Sequence, residues 1–402
     1  MKRLLLIASV AILAAGCQKT FVDNEVQTPI GFSTEVGKQT RAIAQSSGTG
    51  SYLTSQPFGV YAYGHQAETN KTNTIMDNVE IFYDDNTDDK WRANDGFTYY
   101  WPNDPRTKIN FYAYSPSQST KEYAKHQELT GTVSHNETAG FTLTGYVHSN
   151  MYVDFMVGRP VLEATFADQD GSNGSTANLT SVPVSFNHQM TQIVFNVKTN
   201  KPYGANTQTT DDDVTFTVQS ITLNNINNTA NYVHTSTPSY TDTQTKFTHG
   251  VWGGQAGTVS YNVFPAVKLS DQNVNGNPDI NANETAMTVN HETSWTTTPV
   301  TMIPQTFAAD TDHDQSFTIV YTIEGKGVAT ETVSKTVDLK TNAHTAWAIN
   351  QKITYNVVIG LNEITFAPEV CGWDMDVNGD GQVTAGDEIT VPITPTVPTQ
   401  GN

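Results

Sequence analysis

The sequence predicts an all-β protein built from β-sandwiches, and two observations lead to that fold class. Apolar residues alternate with polar ones at a period of two, which puts the apolar side chains on one face of a strand, as half-buried antiparallel sheets require. The composition is rich in Thr, Asn, Ser and Tyr with 15% charged residues, and it suits sheets and loops better than helices. The clearest alternating runs are Ile193, Phe195 and Val197; Val214, Phe216 and Val218; Phe317, Ile319 and Tyr321; and Ile353, Tyr355, Val357, Ile359 and Leu361.

Length and charge limit the domain organisation and the partners. The 402 residues are enough for two or three domains, each with its own core. The formal net charge is -19, and phosphate binding needs clusters of Lys and Arg that this sequence does not offer. We therefore expect no nucleic-acid partner, and cations or neutral glycans fit the charge better.

Residues 1–16 predict a secretion signal. Lys2 and Arg3 form a positive start, residues 4–13 an apolar segment too short to span a membrane, and residues 14–16 a small-residue cleavage site. Because Cys17 follows that site directly, the stretch resembles a bacterial lipobox, in which the thiol is acylated and becomes the mature N-terminus. The alternative is an ordinary signal peptide with an incidental cysteine. Lipidation would leave Cys371 as the sole thiol, so no intramolecular disulfide is expected.

Residues 17–41 predict a pro-segment that carries the first strand. Residues 30–36 alternate as a short strand does, and residues 37–41 follow as an exposed loop that a protease can reach. Removing a strand from a sheet leaves unpaired backbone groups beside exposed apolar side chains, which a strand from elsewhere can satisfy. The alternative is that Arg41 merely lies in a flexible linker.

A shift in composition near residue 181 predicts a boundary between two sandwiches. The loop at 168–180 is polar and Gly-rich, and a new apolar run begins at Val182. We therefore place one sandwich at 42–181, a second at 182–373 and a tail at 374–402.

Several segments together resemble the fimbrillin family, the subunits of type V pili and related surface lipoproteins of Bacteroidetes. Each motif is loose, but their order along the chain is fairly specific. The segments are the lipobox, I-G-F-S-T-E-V-G-K-Q-T-R-A (30–42), P-F-G-V-Y-A-Y (57–63), Y-Y-W-P-N-D-P (99–105), I-N-F-Y-A-Y-S-P (109–116), V-S-F-N-H-Q-M-T-Q-I-V-F (184–195) and the run from Ile353 to Trp373.

The resemblance implies a structural, non-enzymatic protein of the cell outer membrane or surface fimbrium. It implies two tandem transthyretin-like β-sandwich domains, export as a lipoprotein, and proteolysis between Arg41 and Ala42. Loss of the leading strand then opens a groove that a strand from another pilin subunit fills. The resemblance fits a shaft subunit and also an accessory adhesin. It also fits a protein that binds a ligand on a host or bacterial surface.

A monomeric glycan-binding outer-surface lipoprotein is the alternative function. Tyr99, Tyr100 and Trp101 offer three adjacent rings for stacking on a sugar, although such residues more often lie in a sandwich core. His188 has no second ligand at metal spacing and is predicted to be structural. We expect no enzyme, because no G-x-S-x-G, H-E-x-x-H or phosphate-loop motif is present in the sequence.

Residues 376–387, D-V-N-G-D-G-Q-V-T-A-G-D, predict a Ca²⁺ loop of EF-hand type. Gly381 lies at the turn, and the spacing of the oxygen ligands lets a short loop surround one hard cation. The final ligand is Asp rather than Glu, as is typical of dockerin-type loops, and the alternative is an Asx-rich turn. The predicted ligands are Asp376, Asn378, Asp380, the Gln382 carbonyl, Thr384 and Asp387.

The tail after this loop is rich in Pro and Thr. Pro392, Pro395 and Pro398 recur at a period of three, which favours polyproline II and argues against a long central strand. At most, residues 389–393 are expected to form a short edge strand.

Overall fold

The computed structural model describes most of the chain between residues 28 and 373. The described residues are 28–36, 56–66, 71–84, 90–104, 106–118, 129–166, 178–179, 181–199, 214–235, 249–264, 287–289, 295–308, 314–325, 329–360 and 364–373. Cys17, Arg41, Ala42 and the predicted Ca²⁺ ligands between Asp376 and Asp387 lie outside these ranges.

Every element in these ranges is a β-strand, which confirms the all-β prediction. No helix that could span a membrane occurs among the described residues. The strands of the first half are β1 (Phe32–Val36), β2 (Phe58–Gln66), β3 (Lys71–Asp84), β4 (Lys90–Ala93), β5 (Thr107–Ser115), β6 (Thr132–Asn136), β7 (Gly140–Val147), β8 (Met156–Gly158), β9 (Val161–Phe166), β10 (Asn178–Leu179) and β11 (Val182–His188). Those of the second half are β12 (Thr191–Thr199), β13 (Val214–Ile226), β14 (Thr229–His234), β15 (Val251–Ala256), β16 (Val259–Phe264), β17 (Met287–Val289), β18 (Trp295–Thr296), β19 (Val300–Met302), β20 (Gln305–Thr306), β21 (Ser316–Gly325), β22 (Glu331–Asp338), β23 (Ala346–Trp347), β24 (Gln351–Ile359) and β25 (Ile364–Gly372).

The first sheet has nine strands, and its central strands β2 and β5 are buried on both faces. Its main path runs β1-β11-β8-β5-β2-β3-β4, with β9 beside β5 and β10 beside β9. One face carries Phe58 and Phe111 into a first apolar cluster. The opposite face carries Tyr61 and Tyr112 into another cluster, which the four-stranded sheet β15-β14-β7-β6 covers with Leu143 and other apolar side chains. Burial on both faces explains why β2 and β5 are almost continuously apolar or aromatic.

The second half packs two sheets face to face. One sheet has the order β18-β12-β24-β25 and the other β16-β13-β21-β22, and their inner faces share one apolar cluster. The ring centroids of Phe195 on β12 and Phe317 on β21 are 5.1 Å apart, in an edge-to-face arrangement. The alternating residues predicted on β12, β21 and β24 are buried here, apart from Leu361, which lies outside the described residues.

Rows of hydrogen-bonded polar side chains, here called polar ladders, cross the outer faces of these two sheets. On the first sheet of the pair, Asn196 Nδ2 donates to Asn356 Oδ1 at 2.8 Å, and Thr296 and Glu369 extend the row. On the second, Asn224 Nδ2 donates to Thr318 Oγ1 at 2.9 Å. Ser260 and Thr336 complete that row. Each polar ladder therefore joins four neighbouring strands through their side chains.

β11, which follows the predicted boundary at residue 181, belongs to the first sheet. It pairs with β1 and β8 in the first sheet, and β14 of the second half pairs with β7 of the first half. Hydrogen-bonded pairing thus crosses residue 181 in two sheets. The alternation at Val182 marks the start of a strand but carries no information on which strands pair with it. The division of the chain at 181 stays a prediction.

The two halves meet at a buried polar joint around His148. The Thr301 carbonyl can only accept, so His148 Nε2 donates to it at 2.7 Å, and Nδ1 then accepts from the Tyr146 hydroxyl at 2.8 Å. Thr301 Oγ1 donates in turn to the Val153 carbonyl at 2.6 Å. A neutral imidazole satisfies both of its neighbours, whereas a protonated one would need two acceptors.

Acid is expected to destabilise this joint. Burial lowers the pKa of His148 to about 4, whereas the same group in an unfolded chain has a pKa of about 6.5. Between these values the unfolded state binds a proton that the folded state does not. The free energy of unfolding therefore falls as the pH falls from 6.5 towards 4, by about 3 kcal/mol for this group.

The substitution His148→Gln tests this pH dependence. A variant that keeps the wild-type circular dichroism spectrum at pH 7 should lose less unfolding free energy than the wild type between pH 7 and pH 4.5, as measured by urea titration. Equal losses in the two proteins would contradict a neutral, buried His148.

Candidate functional site

The most distinctive site is the cleft in which the leading segment, residues 28–36, is held. Backbone groups hold it on two sides. Ile30 N donates to the Tyr99 carbonyl at 2.8 Å, and Trp101 N donates to the Thr28 carbonyl at 3.0 Å. Beyond these residues, β1 runs parallel to β11, and Val182 N donates to the Gly31 carbonyl at 2.8 Å. The segment therefore bridges the chain at 99–101 and the edge of β11.

Two side chains of the segment point into the first apolar cluster. Ile30 and Phe32 are each 8% exposed. The Phe32 ring meets Phe58 and Phe111 edge to face, with centroids 5.8 and 6.0 Å apart. The other members that line the cleft are Trp101, Val182, Val184 and Phe186.

Ser33, between these buried positions and the end of β1, is exposed. The sequence prediction of alternation at Ile30 and Phe32 is therefore confirmed. Burying one Ile and one Phe contributes about 3 to 6 kcal/mol, before the entropy of ordering the segment is subtracted.

The predicted cleavage point falls between β1 and the next strand along the chain. Arg41 and Ala42 lie after Val36 and before Phe58, outside the described residues. A cut there would leave residues 28–36 held in the cleft by non-covalent contacts alone, and the segment could then dissociate or be exchanged.

The aromatic residues considered for glycan stacking do not share an exposed face. Trp101 is 3% exposed and packs on Phe111 at a centroid distance of 5.9 Å. Tyr99 is half-buried, and Tyr100 alone of the three is exposed, at 42%. This geometry gives no stacking platform of three rings.

His188 is buried, as expected for a structural residue. Its Nδ1 lies 2.7 Å from Asp154 Oδ2, and its ring stacks on Trp373 with centroids 3.8 Å apart. The sequence did not reveal Asp154 as a partner, because the two residues are distant in the chain. Within the described ranges, no group of three or more His, Cys, Asp or Glu side chains could hold a metal ion.

The structure defines a class of protein: an all-β chain whose leading strand is held in a cleft of its own first sheet. Residues 40–373 match the family model described as fimbrillin-like. The chain belongs to that family, and the resemblance in the sequence is confirmed.

Two known proteins are similar to this chain. The chain is 30% identical over 217 residues to the fimbrium subunit Fim1C of Phocaeicola vulgatus, a match that covers 51% of this chain and 53% of that protein. The match thus spans about half the length of that relative. Among solved structures, a fimbrial protein from Bacteroides vulgatus is 21% identical, with a TM-score of 0.44, over 86% of this chain and 99% of that chain.

Replacing Phe32 by Ala is expected to loosen the leading segment. In a protein that carries an inserted specific-protease site after Arg41, the cut segment should dissociate at least about a hundredfold more readily, because losing a buried Phe side chain costs about 3 to 5 kcal/mol. Mass spectrometry of size-exclusion fractions measures the release.

The matched control for this experiment is Ser33→Ala, an exposed position on the same strand. The Ser33 hydroxyl accepts a hydrogen bond from Ser181 Oγ at 3.3 Å, but because this contact is exposed to water, release should stay close to that of the wild type. Equal release from the Phe32→Ala variant and the control would show that the apolar contacts of Phe32 do not hold the segment.

Proposed function

We propose that this chain is a structural subunit or accessory adhesin of a type V-like pilus at the cell surface. The observation that carries the proposal is the leading segment, residues 28–36, which fills an apolar cleft at the edge of its own sheet and lies ahead of a predicted cleavage point. Membership of the fimbrillin-like family supports the same function. A structural role of this kind needs no catalytic group.

Assembly by strand exchange follows from what the segment covers. Its removal would leave the β11 edge and the backbone of residues 99–101 without their hydrogen-bond partners, and would expose Phe58 and Phe111 to water. Unpaired strand edges beside apolar side chains favour the addition of a new strand. We propose that a neighbouring subunit supplies that strand from the segment that follows its own Trp373, where Ile389, Val391 and Ile393 alternate.

Export to the outer membrane as a lipoprotein acylated on Cys17 belongs to the same proposal. The organisation into two tandem transthyretin-like sandwiches does too, and it is supported by separate apolar clusters. One cluster consists of residues from Ile30 to Phe186, and another is built mostly from residues from Ile193 onward. A further cluster, which includes Tyr61 and Trp373, draws on both halves of the chain.

Processing is tested by sequencing the N-terminus of the protein recovered from the cell surface. The expected mature chain begins at Ala42 and forms ladders or filaments. The variant Arg41→Gln should keep its leading segment and its lipid, and should stay monomeric. Recovery of a wild-type monomer that begins at Cys17 would contradict the proposal.

We also propose that Ca²⁺ bound by residues 376–387 stiffens the start of the tail. The support is that Trp373, immediately before this loop, is fixed: its N donates to the Asn350 carbonyl at 2.8 Å and its ring stacks on His188. Without the ion, a group of nearby carboxylates would repel one another and loosen the connection. That group is Asp374, Asp376, Asp380, Asp387 and Glu388.

Limited proteolysis with Ca²⁺ and with a chelator tests this second proposal. Cutting between residues 374 and 390 should slow about tenfold or more when Ca²⁺ is present, because a ligand-bound loop opens less often. The variant Asp376→Asn should lose that protection. Equal cutting rates under both conditions in the wild type would show that the loop does not bind Ca²⁺.

A further inference from the structure

The loop between β4 and residues 99–101 exposes two aromatic rings close together in the sequence. Phe97 is 70% exposed and Tyr100 is 42% exposed. Large exposed aromatic side chains are enriched at the centres of protein interfaces, where they fill pockets on the partner. Exposure alone does not define an interface, but this loop also has a fixed shape and lies at one end of the cleft.

The loop is held in one shape by Asp95. Phe97 N donates to Asp95 Oδ1 at 2.9 Å, and the Tyr99 hydroxyl donates to Asp95 Oδ2 at 2.5 Å. Gly96 has φ +83°, a backbone conformation that other residues rarely adopt. Burial, and then the hydrogen bond to Asp95, raise the pKa of Tyr99, so its hydroxyl remains a donor. The outward position of Phe97 is therefore set before any partner arrives, which lowers the entropy cost of binding.

The same loop lies at one particular end of the cleft. Tyr100 forms an isolated antiparallel bridge with Pro29, and Tyr99 and Trp101 hold the backbone of Thr28 and Ile30. The two exposed rings are therefore next to the point where the leading segment enters the sheet. Residues at the far end of β1, near Val36, pair instead with Phe186.

The direction of β1 determines which part of a donor subunit lies near these rings. A replacement strand that uses the same backbone partners must run parallel to β11, because a reversed strand would present a different hydrogen-bond pattern. Its first residues then lie beside Tyr100. When the donated strand follows Trp373 of the donor, the folded part of that donor precedes the strand in the chain, so the connection between them enters the cleft at the Tyr100 end.

We propose that Phe97 and Tyr100 form a docking contact for the folded part of the neighbouring copy of this chain that donates its strand. This inference rests on the strand exchange proposed above. Each copy has a formal charge of -19, so two copies repel each other at long range and their contact is expected to be apolar. The Asp95 carboxylate already accepts two hydrogen bonds, so covering the rings does not leave it unpaired.

The test separates docking from strand uptake. Full-length protein with the inserted protease site is cut after residue 41, and two properties are measured. One is uptake of a labelled peptide of residues 28–36, T-P-I-G-F-S-T-E-V, and the other is the rate at which the cut protein forms ladders. The variant is the double substitution Phe97→Ser and Tyr100→Ser, and the matched control is Val251→Ser, which is 69% exposed on β15.

The double variant is expected to form ladders at least about tenfold more slowly, since removing aromatic anchors typically costs more than 1 kcal/mol each. Its peptide uptake should stay within twofold of the wild type, which also shows that the cleft is folded. Val251→Ser should match the wild type in both measurements.

Four results would overturn the inference. Ladder formation by the double variant at the wild-type rate would show that the rings do not dock a neighbour. Loss of peptide uptake in the double variant would show that the rings support the cleft itself, and an equal slowing in Val251→Ser would show that the effect is not local. Failure of the cut wild-type protein to take up the peptide would instead overturn strand exchange, and this inference with it.

Discussion

A single run of chain, residues 182–199, holds the molecule together because it serves two sheets in turn. Its first part, β11, pairs with β1 and β8, and its second part, β12, pairs along its whole length with β24. Gln189 lies between them and is fully buried. Its side-chain oxygen accepts from the Tyr232 hydroxyl at 2.8 Å and its carbonyl accepts from Trp252 Nε1 at 2.5 Å. The leading segment, the four-stranded sheet and the second half therefore all contact this run of chain. Leaving the side-chain amide of Gln189 unpaired in it would be costly.

The parts of the fold that the sequence predicted are those that depend on local pattern. Alternation identifies β12, β21 and β24, because a strand with one buried face repeats its apolar residues at every second position. Pairing is different, since it depends on residues far apart in the chain. The antiparallel pair of Tyr232 with Leu143, which joins the two halves, leaves no signal in either strand alone. The change of composition near residue 181 predicts a polar loop, and such a signal does not show on which side of the loop a sheet ends.

The candidate site was predictable to the same extent. Alternation at Ile30 and Phe32 and the loop predicted before Arg41 pointed to a removable strand. The parallel direction of β1 could not be predicted, and neither could the backbone hydrogen bonds that join residues 28 and 30 to Tyr99 and Trp101. Single backbone hydrogen bonds place no constraint on side-chain type. The loop at Asp95 did carry a local signal, since Asp before Gly favours a turn with its side chain accepting from the backbone two residues on. That signal does not predict which aromatic ring the turn exposes to solvent.

The polar ladders affect how the second half resists a mechanical force applied along the chain. In each of its two sheets, tension along one strand is resisted by backbone hydrogen bonds and also by side-chain hydrogen bonds such as those between Asn196 and Asn356 or Thr318 and Thr336. Both sets lie across the strands and are sheared together, so one strand slides only when several bonds break at once. These side chains are also uncharged along most of their length, and uncharged hydrogen bonds are less sensitive to salt than ion pairs are. We therefore expect the side-chain contacts across these sheets to change little with ionic strength, whereas salt bridges at the surface would weaken as salt is added.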